Sequence, residues 1–396
     1  MALSKIDVAN MLTGATPVAN GGTALTSGFV NGRANDQGAP IIINGDMAVA
    51  QRSHTTVAQA DGSNELYATV DRFAVKFGNN AGGTITTSRD TTAPTGFGQS
   101  MKLNVTGADT SVASTHIVEL MQPIEAQIMR NSGWNYTSSS SYLTLSFQIR
   151  SSKTGTYCVY LQTLDGTSYM YTQEYTISSA DTWEQKVLTF PGNSNLQFDN
   201  NNAVGFRVGW ILAVGSGRYG TAGSWTTSSA YGTSNNVNFL DSTDNVAYIT
   251  GVQLEVGQFT SSTLPPFQHE SFGDNLARCQ RYYQKPVYSK DHQGTTEEYS
   301  AFNTGTYSAD AYFRVARPLG VEMRANPTLV SSSGTNYFFI LSGANDDIND
   351  VTLHNDSNFK TVWVYNNDEA SSTAGQAGIL MANNTSAYIA FDAELE

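Results

Sequence analysis

The run YLTLSFQI (142–149) sends every second side chain to one face: Leu143, Leu145, Phe147 and Ile149 against Thr144, Ser146 and Gln148. A β-strand has a side-chain period of two and an α-helix one of 3.6, so the run reads as a half-buried strand. Phe73, Val75 and Phe77 repeat the pattern, as do Met101, Leu103 and Val105, and Val204, Phe206, Val208, Trp210 and Leu212. Shorter runs lie at 157–161, 173–177, 185–190 and 248–256. Gly, Asn, Ser and Asp turns separate them, which predicts antiparallel sheets with one wet face. So many short strands within residues 41–257 suit an all-β, antiparallel jelly-roll β-sandwich, with the alternate apolar residues between two sheets. Trp183 and Trp210 lie in or beside these runs and are expected in the core.

The flanking stretches differ in texture. Residues 1–40 are rich in Gly, Ala, Thr and Asn and read as an extended arm with a short helix near Lys5–Leu12, ordered on a partner. After the connector holding Pro265 and Pro266, DNLARCQRYYQK (274–285) places Leu276, Cys279 and Tyr283 at helical spacing, making 258–285 a linker with a short helix. Strand texture resumes in AYFRVA (311–316), TNYFFIL (335–341), KTVWVY (360–365) and AYIAFDAEL (387–395), so 286–396 reads as a second, β-rich C-terminal domain.

Charge narrows the function. The 396 residues carry a net charge of −13, and only 14% are charged. No Lys/Arg-rich run interleaves with aromatics, which argues against nucleic acid. No apolar run is long enough to predict membrane insertion. The first residues, MALSKIDVANMLTG, lack the apolar core of a secretory signal, so synthesis in a cytosol is expected. Cys158 and Cys279 stand far apart and read as buried small hydrophobes. Nothing has the spacing of a zinc site, a nucleophile elbow or a phosphate loop, and no cofactor is expected. His54, His116, His269, His292 and His354 are scattered. The acids that could serve glycan cleavage are Asp241 and Asp244, Asp346, Asp347 and Asp350, and Glu297 with Glu298. All sit in turn-like stretches where solvated carboxylates are ordinary, so binding without catalysis is expected.

Sugar rings are held by exposed aromatic faces flanked by polar groups. The long Gly/Ser-rich loop 215–236 offers Arg218, Tyr219, Trp225 and Tyr231, and NSGWNY (131–136) offers Trp134 and Tyr136. These are the candidate glycan contacts. The alternative is that they cap the ends of the core.

Several stretches together resemble bacteriophage tail-fibre proteins: PVANGGT (17–23), INGDMAVAQRS (43–53) with DRF (71–73), SYLTLSFQIRSSKTGTYCVYLQ (141–162), DTWEQKVLTFPG (181–192), YITGVQLEVG (248–257), PFQHESFGDNLARCQRYYQK (266–285), MRANPT (323–328) and FDAEL (391–395). They span nearly the whole chain in the order usual for such fibres. The element after NGGT departs, with Ala24 where Gly is usual, and no long shaft follows the arm. The resemblance implies a virion structural protein, docked through residues 1–40 to a tail adaptor, tail tube or head protein. It implies a homotrimer that meets a host cell-surface polysaccharide by multivalent binding. A head-attached capsid fibre or decoration protein, and a glycan-depolymerising tail spike, are the alternatives. The sandwich also resembles carbohydrate-binding jelly rolls, which often hold one calcium ion. Here Asn44 and Asp46 are the candidate ligands, though Thr250-Gly251 stands where such modules often have an aspartate. In a trimer, Leu276, Cys279 and Tyr283 of the helix would line the axis, with Arg278, Arg281 and Lys285 facing acidic neighbours.

Overall fold

The computed structural model describes residues 29–30, 33–34, 40–53, 56–60, 65–287 and 300–395. The expected helix at Lys5–Leu12 and most of the arm lie outside them, as do His54, His292, Glu297 and Glu298. The described part of the arm holds a hairpin of β1 (Phe29–Val30) and β2 (Arg33–Ala34).

The first body begins with β3 (Val57–Ala60), β4 (Glu65–Leu66), β5 (Ala74–Gly78), β6 (Thr84–Asp90) and β7 (Ser100–Gly107). Next come β8 (Ile117–Glu125), helix α1 (Ala126–Arg130), β9 (Tyr142–Ser151), β10 (Gly155–Thr163) and β11 (Tyr169–Ile177). It closes with β12 (Glu184–Pro191), β13 (Val204–Val214), β14 (Trp225–Thr226) and β15 (Val246–Val256). Two antiparallel sheets result: a seven-stranded one ordered β14-β11-β10-β13-β8-β5-β4 and a six-stranded one ordered β12-β9-β15-β7-β6-β3. Strands distant in sequence lie side by side, β8 with β13 and β9 with β15, which is the crossing connectivity of a jelly roll. The alternating residues Phe73, Leu103, Phe147, Val208 and Trp210 meet between the sheets in one core.

The outer faces are less wet than expected. Strand β8 is buried along its whole length, and Thr144 and Ser146 of β9 are buried although their phase points outward. The connector after β15 lies against Thr144 and Gln253. The Thr144 hydroxyl donates to the Gly257 carbonyl (2.7 Å) and accepts from the Phe259 amide (3.1 Å), while Gln253 donates to the Pro265 carbonyl (3.1 Å). Trp210 is in the core, but Trp183 is not: it is half-buried against Tyr248, outside the sandwich.

The second body starts from helix α2 (Phe272–Gln280) and β16 (Tyr283–Val287), then β17 (Ala301–Ala309), β18 (Tyr312–Pro318), β19 (Thr328–Ser331) and β20 (Phe338–Leu341). It ends with β21 (Asn345–Ile348), β22 (Thr352–Leu353), β23 (Thr361–Asn366), β24 (Ala377–Ala382) and β25 (Ile389–Asp392). These form a three-stranded sheet, β16-β25-β19, and a seven-stranded one, β21-β20-β24-β17-β18-β23-β22, around a separate core that includes Phe302, Tyr307, Phe313, Val364 and Phe391.

The helix is shorter than the periodic run. Ser271 caps it, accepting from the Asp274 amide (3.2 Å), and the chain leaves the helix at Arg281. Tyr283 is therefore a strand residue, paired with Asp392 of β25. A strand partner near the far end of the chain wins over the local period. The helix buries Asn275 and Cys279 and half-buries Leu276, packing beside Ile43, Val49, Tyr282 and Leu395 of the same chain. Cys279 and Tyr283 are 1% and 4% exposed, so neither has surface left for a trimer axis. Both thiols are buried and free, and burial pushes them above the usual thiol range.

The two bodies meet across charged groups. Glu125, at the end of β8, accepts from Arg281 (2.7 and 2.9 Å) and from the Tyr282 hydroxyl (2.6 Å). Burial alone would raise its carboxyl, but these donors hold it below the usual range. Arg72 donates to Glu394 and to the Pro123 carbonyl (2.7 Å) and lies 3.5 Å over the Tyr282 ring. Arg52 bridges Asp392 (2.8 Å) and Glu394 (3.2 Å) and stacks 3.8 Å from the Tyr283 ring centre.

Candidate functional site

Loop 215–236 folds back over the outer face of the first seven-stranded sheet. Trp225 forms β14 against Tyr171, meets its ring edge-on at 5.3 Å, and donates its indole N–H to the Pro191 carbonyl (2.7 Å). Tyr231 meets Tyr160 edge-on at 5.3 Å, and the Tyr160 hydroxyl donates to Glu119 (2.6 Å). Burial, then the Glu119 charge, lifts the Tyr160 hydroxyl well above the usual tyrosine range. Asn236 accepts from the Cys158 amide (2.8 Å), and Thr233 donates to Glu174. The loop is thus fastened down, and its aromatic side chains serve that fastening. Only Tyr219 among its large side chains counts as exposed, at 38%, beside Arg218, which donates to the Thr115 carbonyl (3.4 Å).

The second pair sits elsewhere. Trp134 is 3% exposed, within 6.2 to 6.4 Å of the rings of Tyr136, Phe198 and Phe206. Its indole donates to the Ser141 carbonyl (3.3 Å). Trp134 and Tyr136 plug the end of the sandwich, and Trp134 offers no ring face to a sugar.

A wider aromatic surface lies on the second body. In β18 and β23, Phe313, Val315, Val362 and Val364 point into the core, so Tyr312, Arg314, Trp363 and Tyr365 point out. Register places Arg314 beside Tyr365 and Ala316 beside Trp363. Tyr312 and Tyr365 stack at 5.4 Å with an interplanar angle of 18°. His354 stands edge-on to Tyr365 at 5.7 Å, and the Arg314 guanidinium lies 5.9 Å from the Trp363 ring centre. The methyl of Ala316 is too small to cover the indole beside it. Arg314, Thr352 and Asp356 are exposed around this strip and supply charge and a hydroxyl. The outward phase of large aromatics in KTVWVY and AYFRVA is the signal that marks it in the sequence, and the loop-centred reading passes over it.

The acids are built into the structure, and Asp346 and Asp347 stand in β21, paired with β20, not in the turn expected from the sequence. Asp241 pairs with Lys153 (2.6 Å) and accepts from Asn245 (2.9 Å). Burial works against its charge, but these partners hold its carboxyl below the usual range. Asp346 accepts from the Tyr307 hydroxyl and from the Ser371 amide, both at 2.7 Å, and Asp347 accepts from Asn336 and Asn383, both at 3.3 Å. Burial raises the Asp350 carboxyl, with Asp368 and Glu369 adding to it.

Asn44 organises a turn. Its amide donates to the Val49 and Asp71 carbonyls (2.9 Å each), and its oxygen accepts from the Val49 amide (2.9 Å). Asp46 accepts from Asn275 (3.1 Å). Gly45 is pressed against β15: a Cβ there would meet the Val252 carbonyl at 2.0 Å. Among the described residues, no group of three His, Cys, Asp or Glu could hold a metal ion.

No family model and no curated protein matches the sequence. Solved structures similar to the chain include the enzymatically active domain of tailspike protein 4 of bacteriophage CBA120, at 14% identity over 55% of this chain and 21% of that one, with a TM-score of 0.27. A family 11 carbohydrate-binding module of a Clostridium thermocellum cellulosomal cellulase matches at 11% identity over 51% of this chain and 99% of that one, TM-score 0.28. A family 4 carbohydrate-binding module matches at 12% identity over 54% and 98%, TM-score 0.27. The chain spans about a fifth of the tailspike domain's length. None of these likenesses bears on what this chain binds.

Proposed function

We propose that the chain is a phage virion structural protein of tail-fibre type that holds host-surface glycan by multivalent binding and does not turn it over. The observation that carries the glycan part is the outward strip of Tyr312, Tyr365 and Trp363 flanked by Arg314. Such rings stack on the apolar faces of sugars, and the strip is used neither in a core nor in fastening a loop. The virion part rests on the ordered motifs from PVANGGT to FDAEL. A homotrimer presents three strips at once, and linking weak sites raises avidity by orders of magnitude without any new contact. Binding without turnover is supported by Asp241 and Asp346, whose carboxylates are occupied in holding turns.

The test uses the purified, labelled full chain. It should stain host cells and compete with phage adsorption, and the Trp363→Ala, Tyr365→Ala double variant should lose at least about tenfold in apparent affinity, the equivalent of ~1.4 kcal/mol. A folded double variant that stains and competes like the parent removes the strip from the mechanism. Release of reducing ends from host polysaccharide would refute binding without turnover.

A further inference from the structure

A cavity of about 420 Å³ lies where the two bodies meet. Its walls come from both. The sandwich side contributes Arg52, Val57, Leu66 and Tyr67, and the second body contributes Tyr283, Lys285, Val330, Tyr388, Asp392 and Glu394. A volume of this size at a domain boundary, walled by aromatic rings and by charged groups in about equal measure, suits a small polar ligand with a ring to stack.

The charges in the wall are unequally matched. Asp392 and Glu394 are engaged by Arg52, and Glu394 also by Arg72. Lys285 is not matched in this way. Its ammonium donates to the Arg52 carbonyl (3.2 Å) and lies 4.8 Å from the Tyr388 ring centre, and among the described residues no carboxylate pairs with it. Burial lowers its affinity for a proton, with no neighbouring charge to offset the effect. An ammonium has three donors, and among the described residues this one has a single neutral acceptor. A partly buried cation beside an aromatic ring and open volume is the arrangement that an anionic ligand would complete.

We propose that this cavity binds a sugar acid: a pyranose ring whose carboxylate meets Lys285 and whose ring packs against Tyr388 and Tyr67. The carboxylate would give the Lys285 ammonium the charged partner that no described residue provides. Asp392 and Glu394 of the same wall are paired with Arg52. The site differs from the aromatic strip on β18 and β23. Cell staining reads the strip and a monosaccharide titration reads the cavity, so either reading can fail while the other holds.

The experiment is calorimetric or NMR titration of the full chain with glucuronate and galacturonate, set beside glucose and galactose. The acids should bind at least about tenfold more tightly than the neutral sugars, as loss of one charge-assisted contact implies. Lys285→Met keeps the stem and removes the charge, and it should abolish that preference while the circular dichroism and melting curve stay those of a folded protein. If Lys285→Met fails to fold, Tyr388→Ala in the charged background tests the same site through the ring contact and should weaken the acids by about tenfold. Equal affinity for acids and neutral sugars would overturn the proposal, as would unchanged acid binding by a folded Lys285→Met chain. Acetate or inorganic phosphate binding as tightly as the sugar acids would reduce the site to an anion hole and overturn its sugar specificity.

Discussion

Replacing Glu394 by Gln tests how the two bodies are held together. The Glu394 side chain is 2% exposed, and its oxygens take Arg52 at 3.2 Å and Arg72, which is 1% exposed. Gln keeps the shape and removes the charge. Arg52 retains Asp392, and Arg72 retains the Pro123 carbonyl, the Tyr282 ring and the nearby Asp71 carboxyl but loses its direct ion pair. Removing one member of a buried pair costs ~3–5 kcal/mol, because the other charge stays buried. Arg72 alone bears that cost here, so we expect the lower end, ~3 kcal/mol. At ~2–4 °C per kcal/mol for a body of this size, the melting temperature falls by roughly 6–12 °C. Urea unfolding followed by tryptophan fluorescence and circular dichroism measures it. Trp363 lies in the second body and the other four of the five tryptophans in the first, so the probe can separate them. A loss under ~1 kcal/mol would refute the reasoning. A double Arg72→Met, Glu394→Met chain should recover much of the loss, since apolar replacement of a whole buried pair is often neutral.

Gly45→Ala should lower stability by more than ~2 kcal/mol in urea unfolding, because its Cβ would sit 2.0 Å from a Val252 carbonyl held in place by the Val252 amide donating to Gly45 (2.9 Å). Burial lifts the Glu255 carboxyl from 4.5 to about 7. A raised folded-state value means its stabilising share is full below 4.5 and is lost as pH rises through about 7, so Glu255→Gln should flatten the denaturation midpoint over that window. A Glu255→Gln profile as steep as the parent's counts against this.

The sheets are legible wherever alternation runs unbroken. Phe147 and Trp210 stand in the core because a period of two allows their strands a single inward face. Which outward faces meet water is not legible. Thr144 and Ser146 alternate correctly and are buried, and across Thr144 lies a connector more than a hundred positions away. The candidate site fails to read for the same reason. Trp134 in a Gly/Ser/Asn-rich loop looks exposed, but Phe198 and Phe206 enclose it from other parts of the chain. Trp363 looks like an ordinary strand residue, and only its phase relative to Val362 and Val364 marks it as outward.

The end of helix α2 shows how local pattern and distant partners compete. Three successive residues after it find distant partners: Arg281 and Tyr282 both reach Glu125, Tyr282 also lies under the Arg72 guanidinium, and Tyr283 pairs with β25 and stacks on Arg52. Continuing the helix would have kept Tyr283 on the face of Leu276 and Cys279 and cost the β16–β25 pairing. The joint is therefore polar, with its cations and carboxylates drawn from both bodies, and a charge there is tolerated only where the opposite body answers it. That matching is close at Arg72 and Arg281 and stops at Lys285. A ligand seated in the cavity beside Lys285 would act on the fit between the two bodies as well as on Lys285 itself.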